Sequence, residues 1–327
     1  MTSVLIIGID YFNTPSESTL PGITDMRYMY DYIRKIKPDK ILVITDADEN
    51  DNVVKGIIDP NDIYFINNIQ SYNEYHFYQG KTDMINVIKN FVSTNNRLVV
   101  YYSGHGSNNN ILLPNYSENV SFIPDLINVS KFTPHASRSE TRRASLAYSG
   151  VGKFDKKKIT DNTPEINQTK NKISFEEFKN IITKYSPKKT QIIFLMDCCA
   201  GNGLKLPFKM NINGIYNLKN YNIPTQEIVC ISSSLQNQSS ISSINVDGFG
   251  SVFTKEFFEG ISRMRSIKTV SYINLIKKIG SEKLNNYDQT LNVYSSRPNL
   301  KKVWHWFFEQ SKSKIECKNG YISLTYN

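Results

Sequence analysis

The sequence LVVYYSGHG, residues 98–106, is an apolar run that ends in a histidine between two glycines. A second apolar run, IIFLM at residues 192–196, is followed directly by Asp197-Cys198-Cys199. Both runs are typical of buried strands, and an open α/β sheet places its chemistry outside the carboxyl ends of its strands. We therefore expect neighbouring strands that bring the His105 imidazole beside the Cys199 thiol. A cysteine peptidase is the first functional hypothesis.

The remaining sequence alternates between strand and helix patterns. Apolar runs predict strands, and periodic apolar spacing predicts helices. The predicted strands are 4–9, 41–44, 98–102, 191–196 and 227–231, with a short extended piece at 298–300, and the predicted helices are 25–36, 82–91, 251–261 and 270–284. A capping-box signature from Ser174 to Glu177 predicts the start of a further helix. This alternation predicts an α/β fold with a mostly parallel central sheet and helices on both faces.

Residues 108–172 interrupt the alternation, because they are rich in Asn, Ser, Pro and Lys and show no sustained periodicity. Ten Lys and Arg against four acids lie between residues 131 and 172, so this segment holds most of the net charge of +9. The segment contains no recognised nucleic-acid-binding module, so we interpret it as a flexible polar insert and not as a nucleic-acid surface. We expect one domain over 1–327, with the histidine strand in 1–107 and the cysteine strand in 173–327.

The bulk composition excludes several classes of protein. It is 39% hydrophobic and 21% charged, which is ordinary for a globular chain, and no apolar run approaches the ~18 residues of a membrane span. The amino terminus runs straight into an apolar strand pattern, so no signal peptide is expected. The four cysteines lack the paired spacing of a zinc site and are too few to suggest a disulfide framework. A cytoplasmic location fits best.

The two motifs supply the parts of a thiol peptidase. A free thiol is mostly protonated at neutral pH, so it needs a base, and His105 is placed to take the Cys199 proton and return it to the leaving amine. The flanking glycines allow close backbone approach, and we expect the amides of Gly106 and Cys199 to form an oxyanion hole. Taken singly, His105 also fits a hydrogen-bonded histidine at a strand end, and Cys199 fits a buried structural thiol.

Several motifs together carry a family resemblance. Ser-Gly-His-Gly at 103–106 and Asp-Cys-Cys at 197–199 resemble the metacaspases and paracaspases, which are caspase-like cysteine peptidases. The sequences GIDYF at 8–12, LPGITD at 20–25, GSVFT at 250–254 and RPNL at 297–300 are also similar to the family. The resemblance covers most of the chain outside about 108–172. It implies a caspase-like fold, with His105 as the catalytic histidine and Cys199, not Cys198, as the nucleophile.

The resemblance also implies a substrate pocket. Asp25, Ser103 and Asp197 match the polar wall of the pocket for P1, the residue before the cleaved bond, which is Arg or Lys in metacaspases. Two carboxylates beside one slot favour a cation, and a guanidinium binds a carboxylate bidentately. Neither catalytic motif contains the basic residue that a P1 aspartate needs. For Asp25, capping of its helix is an equally open interpretation.

Some positions depart from the family pattern. Ala200-Gly201-Asn202 replace the usual His-Ser-Gly, which keeps open a catalytically inactive scaffold or decoy. Lys205 and Ser174-Phe175 stand where calcium-dependent metacaspases have acidic residues, which argues against calcium activation. We expect no metal and no other cofactor, and by resemblance a monomer that binds protein or peptide substrates with a basic P1 residue. We expect neither a nucleic acid nor a membrane as partner. A basic nucleic-acid-binding protein is a lower-ranked alternative to the peptidase function.

The insert contains candidate modification sites. An enzyme that cleaves after basic residues meets possible autocleavage sites at Arg138, Arg142, Arg143 and Lys158. Arg142-Arg143-Ala144-Ser145 also resembles a basophilic kinase site, so Ser145 is a candidate for phosphorylation.

Overall fold

The computed structural model describes most of the chain outside the insert. The described residues are 1–11, 20, 22–34, 37–46, 65–66, 68–69, 74–107, 109–114, 171–199, 201–218, 221–235, 238–245, 248–264, 272–281, 284–298, 307, 314–318 and 321–325. The chain divides into two units, one formed by 1–116 with 171–327 and the other by 117–170. The second unit contains the candidate cleavage and phosphorylation sites and lies outside the described residues.

Sixteen strands are present in the described part of the chain, and apolar β-branched runs form the longest of them. In chain order they are β1 Thr2–Gly8, β2 Lys40–Thr45, β3 Tyr75–Phe77, β4 Arg97–Ser103, β5 Gly106–Ser107, β6 Asn110–Leu112, β7 Lys172–Ser174, β8 Gln191–Asp197, β9 Phe208–Asn211, β10 Gly214–Asn217, β11 Glu227–Ser232, β12 Ser242–Asn245, β13 Gly248–Ser251, β14 Asn292–Ser295, β15 Lys314–Lys318 and β16 Tyr321–Thr325.

Nine of these strands form one sheet in the order β10-β9-β14-β11-β8-β4-β1-β2-β3. The pairs from β3 across to β11 are all parallel, whereas β14, β9 and β10 extend that edge with antiparallel pairs. The strands β1, β4 and β8 occupy the middle and read as nearly continuous apolar runs, as strands covered on both faces must. The predicted mostly parallel central sheet is therefore confirmed.

Five α-helices accompany the sheet in the described residues: α1 Gly22–Arg34, α2 Lys81–Val92, α3 Phe175–Tyr185, α4 Val252–Met264 and α5 Tyr272–Leu275. Ser174 caps α3 by accepting the Glu177 backbone N–H at 2.9 Å, as the capping-box signature predicts. Within the described part of the chain no helix is both long and apolar enough to cross a membrane.

The side chains of the central strands alternate between two hydrophobic cores. Val4 and Ile6 of β1 face the core that contains apolar residues of α1 and α4. Leu5 and Ile7 face the opposite core, with α2 and α3. Helices thus cover both faces of the sheet, as predicted, and apolar burial on both sides fixes the register of the strands β1, β4, β8 and β11.

Two boundaries differ from the sequence prediction. The helix predicted from residue 25 begins three residues earlier at Gly22, because Asp10 accepts the Ile23 N–H at 3.2 Å and so satisfies a donor of its first turn. The helix predicted over 270–284 is wrong in its second half. After α5 the chain forms a π-helical turn, Ile276–Ser281, and later a 3₁₀ turn, Leu284–Tyr287.

The extended piece predicted at 298–300 is described only at Pro298. The strand that precedes it is β14, which ends at Ser295 and pairs with β11 and β9. Pro298 lies in a bend beyond it, consistent with its lack of a backbone donor, and 299–300 lie outside the described residues.

A small sheet joins the ends of the insert. The strands β5, β6 and β7 pair antiparallel in that order, with Leu112 opposite Lys172. The Leu113 N–H continues this pairing by donating to the Asn171 carbonyl at 2.8 Å. The chain therefore leaves the described fold on β6 and re-enters it on the adjacent strand β7.

Candidate active site

The two candidate catalytic motifs follow adjacent parallel strands. In the pairing of β4 with β8, Ser103 lies opposite Asp197. The Gly104 N–H then donates to the Asp197 carbonyl at 3.2 Å, which continues the contact beyond the strand ends. Because His105 and Cys199 each follow two residues later, both turns leave the same edge of the sheet.

Gly106 brings the two turns into direct main-chain contact. A Cβ atom at this position would lie 2.1 Å from the Cys199 carbonyl oxygen, so only glycine fits. The Leu112 N–H donates to the His105 carbonyl at 3.1 Å, just beyond the paired residues of the β5–β6 ladder. Gly106 lies opposite Ile111 in this ladder at a position that is not hydrogen-bonded to β6, so its N–H points away from β6.

The backbone of His105 is held by two tyrosines. Its N–H donates to the Tyr11 hydroxyl at 2.8 Å, and its carbonyl accepts from the Tyr102 hydroxyl at 2.9 Å. The Tyr11 ring also contacts the imidazole, with 4.5 Å between the ring centroids. Burial raises the pKa of Tyr11, so its hydroxyl stays protonated and donates to the Leu112 carbonyl at 2.7 Å.

Tyr11 itself occupies an unusual backbone conformation. Its φ of 62° lies in the left-handed region, which is uncommon for a residue with a side chain. The Asp46 carboxylate accepts the N–H groups of Asp10 and Tyr11 at 2.8 and 2.7 Å, which stabilises this turn after β1. The motif GIDYF is similar to the family, but nothing in its sequence predicts that Tyr11 contacts His105.

The two adjacent cysteines lie in different environments. Cys198 is buried, its carbonyl accepts the Ser234 hydroxyl at 2.8 Å, and burial raises the pKa of its thiol. Cys199 is half-buried, and its Sγ accepts the Ser240 backbone N–H at 3.2 Å. Of the two thiols, Cys199 is the one that is accessible to solvent.

Asp197 sits at the base of the site in a cluster of hydroxyl donors. Its side chain is 3% exposed, and Oδ1 accepts the Ser240 hydroxyl at 2.6 Å. Its Oδ2 accepts the hydroxyls of Ser251 and Thr254, the latter at 2.6 Å. Burial raises the pKa of Asp197, and these hydrogen bonds oppose the rise.

Asp25 joins the same cluster from α1. It is buried, accepts the Ser103 hydroxyl at 2.8 Å on Oδ2, and accepts the Ser251 N–H at 2.8 Å on Oδ1. Ser251 therefore bridges Asp25 and Asp197. The alternative in which Asp25 caps its helix is wrong, because Asp25 lies inside the first turn of α1 and its carboxylate is engaged by these donors.

The structure thus brings the three predicted pocket residues together and adds others. The motif GSVFT, which is similar to the family, contains Ser251 and Thr254, so the sequence holds a signal for both. Ser240 lies in a stretch of serines and glutamines where no pattern singles out one hydroxyl.

No cluster of three or more His, Cys, Asp or Glu suited to a metal ion occurs among the described residues. The family resemblance places Lys205 where calcium-dependent metacaspases have an acidic residue. Lys205 follows the 3₁₀ turn Gly201–Gly203, and its N–H donates to the Gly203 carbonyl at 3.0 Å. Ser174 is at another of these positions, and its hydroxyl oxygen caps α3.

Comparison with known families agrees with this arrangement. The family described as the caspase domain matches residues 127–302, more than half of the chain. The chain belongs to the caspase-domain family. The match includes Asp197 and Cys199 and begins inside the segment 108–172 that we interpreted as an insert, whereas His105 precedes it. This caspase-domain protein therefore has the domain of a cysteine-type peptidase.

A search of curated proteins found no match. Among solved structures, the chain is similar to protein GSU0716 from Geobacter sulfurreducens, with 11% identity and a TM-score of 0.46 over 93% of this chain and 97% of that one.

Proposed function

We propose that this caspase-domain protein is a metacaspase-type cysteine endopeptidase that hydrolyses peptide bonds after Arg or Lys. The observation that supports it most is the pair of buried carboxylates, Asp25 and Asp197, joined through Ser251 at the same sheet edge as Cys199. A caspase-like fold with this acidic cluster favours a cationic P1 side chain over an acidic one.

In the proposed reaction, His105 accepts the Cys199 proton and the thiolate attacks the carbonyl carbon of the scissile bond. The amides of Gly106 and Cys199 stabilise the resulting oxyanion. As the C–N bond breaks, the His105 imidazolium gives its proton to the leaving amine, and a thioester remains on Cys199. Water then attacks the thioester with His105 as base, which releases the carboxylic acid and restores the thiol.

Burial makes the acidic cluster selective. An ionised carboxylate away from water is costly unless a charge or donors compensate it, and burial already raises the pKa of Asp197. A P1 Arg or Lys supplies the compensating charge, whereas a P1 Asp adds repulsion. Folding has already taken both carboxylates out of water, so on binding only the incoming cation has to lose its hydration.

Peptides that differ only at P1, with Arg, Lys or Asp, test this proposal directly. We expect wild type to cleave after Arg and Lys, Cys199→Ala to cleave neither, and the neighbouring Cys198→Ala to retain activity as the matched control. Parallel assays with calcium and with chelator test the expectation that calcium is not required.

A different result would favour the alternative of an inactive scaffold or decoy, which is motivated by Ala200-Gly201-Asn202 in place of the usual residues after the cysteine. If no peptide is cleaved and an Arg-based ketone probe fails to label Cys199, the peptidase proposal is wrong. Labelling without turnover would place the defect after thiol attack.

We further propose that active enzyme processes itself at Arg138, Arg142, Arg143 or Lys158, and that Ser145 is open to phosphorylation. Wild type should give two fragments on a denaturing gel during incubation, and Cys199→Ala should stay intact. We also propose that the protein is a monomer located in the cytoplasm. Cys198, Cys199 and Cys230 are free thiols, which is consistent with a reducing compartment.

A further inference from the structure

Ser240 contacts both functional parts of the site. Its backbone N–H donates to the Cys199 Sγ at 3.2 Å, and its hydroxyl donates to the Asp197 Oδ1 at 2.6 Å. A single residue thus touches the proposed nucleophile with its main chain and the proposed P1 carboxylate with its side chain.

Two glutamine side chains stabilise the position of Ser240 and of the loop that contains it. The Gln289 amide, which is buried, donates from Nε2 to the Ser240 Oγ at 3.3 Å. The preceding Gln238 accepts the N–H groups of Leu235 and Thr290 on Oε1, at 2.9 and 3.1 Å. The serine hydroxyl has one proton, which it gives to Asp197, so the hydrogen bonds run in one direction from Gln289 through Ser240 to the carboxylate.

We propose that Ser240 is a positioning residue that fixes the Cys199 sulfur relative to the P1 carboxylate Asp197. This inference rests on the proposed peptidase function and deepens it. A P1 cation docked on Asp197 presents its scissile carbonyl to a sulfur that the same serine holds, so substrate selection and nucleophile placement share one side chain. The N–H also stabilises negative charge on the sulfur.

Three variants separate the hydroxyl from a general effect on the loop. Ser240→Ala removes the hydrogen bond to Asp197, Ser240→Thr keeps a hydroxyl, and Ser239→Ala changes the exposed neighbouring serine as a matched control. We expect kcat/KM for the Arg peptide to fall roughly tenfold to a hundredfold in Ser240→Ala, mainly through kcat, because a hydrogen bond to a charged group is lost. Ser240→Thr should restore most of it.

A second readout does not require peptidase activity. The rate at which iodoacetamide alkylates Cys199 at pH 7 is measured by mass spectrometry. We expect it to be slower by roughly threefold or more in Ser240→Ala, because the backbone N–H of residue 240 is no longer held against the sulfur once the hydrogen bond to Asp197 is lost, and so it stabilises the thiolate less. The rate should be unchanged in Ser239→Ala. Thermal unfolding of all variants identifies any that fail to fold.

The outcomes are distinguishable. If wild type cleaves the Arg peptide but Ser240→Ala matches it in turnover and alkylation, the positioning role is wrong and the peptidase function stands. If wild type cleaves no peptide, the proposed function fails, and the alkylation rates alone decide the role of Ser240. Loss of activity in Ser240→Thr and Ser239→Ala alike would also overturn the inference, because it would indicate a loop that tolerates no change.

Discussion

Gly106 is the residue on which the geometry of the site depends most directly. Its missing side chain lets the histidine turn lie against the Cys199 carbonyl, where a Cβ would come within 2.1 Å of that oxygen. Backbone cannot retreat as the end of a flexible side chain does, so any substitution separates the two turns. The glycine therefore controls the distance between the proposed base and nucleophile.

We predict that Gly106→Ala lowers kcat/KM for an Arg peptide by about a hundredfold, since a displacement near 1 Å is enough for such a loss. Ser107→Ala, one residue further along β5, serves as the control and should retain activity. Steady-state kinetics on both variants checks the prediction, and a fully active Gly106→Ala would contradict the contact.

Asp197 gives the site a predicted pH dependence. Burial raises its pKa in the folded protein, so between the ordinary carboxyl range and the raised value the folded state binds more protons than the unfolded state. The free energy of unfolding should therefore fall as pH rises through the raised pKa. Over the same window kcat/KM for an Arg peptide should rise, because the ionised carboxylate attracts the P1 cation.

Asp197→Asn should abolish both trends and lower kcat/KM for the Arg peptide by at least about tenfold. Urea unfolding and peptide kinetics across a pH series measure the two effects separately. If the wild-type unfolding curve shows the same pH dependence as Asp197→Asn, Asp197 is not the group that titrates.

At the scale of elements, the stability of α3 depends on an N-terminal cap that the sequence predicts. Ser174 accepts the Glu177 N–H, one of the donors that the first turn leaves without a helical partner. We predict that Ser174→Ala lowers the free energy of unfolding by roughly 1 kcal/mol, and that Ser174→Asp keeps most of the stability. Urea titration measures both variants, and a Ser174→Ala protein as stable as wild type would show that the cap contributes nothing.

How far the elements follow from sequence depends on how much apolar surface they bury. The strands β1, β2, β4, β8 and β11 were predicted to within about two residues, because each is an apolar run covered on both faces. Short strands such as β3 or β9 contain too few apolar positions to form a pattern, and β14 alternates Asn, Val, Tyr and Ser. Pairing with neighbours, not local composition, makes these segments strands.

The candidate site shows the same division. The order of strands could be inferred for β4 and β8 because both end in reactive motifs, and adjacent parallel strands deliver their ends to one edge. Hydroxyl donors such as Ser240 and Ser251 were not predictable as a network. Serine is common in loops, and only the tertiary fold decides which hydroxyl reaches a buried carboxylate.

For the whole molecule, the central sheet takes strands from both sides of the insert. The strands β1 and β4 precede it, β8 and β11 follow it, and β4 pairs with β8 along their full length. Each part alone would expose a long apolar strand edge, so the two parts are expected to depend on each other for stability.

The small sheet that joins β6 to β7 has a consequence for a chain cut between them. Leu112 and Lys172 stay paired across the ladder whether or not the peptide between them is continuous. A cut inside 117–170 should therefore leave the elution volume in gel filtration unchanged. The two fragments should separate only in denaturant. Such a cut converts one polypeptide into a stable heterodimer without any new interface having to form.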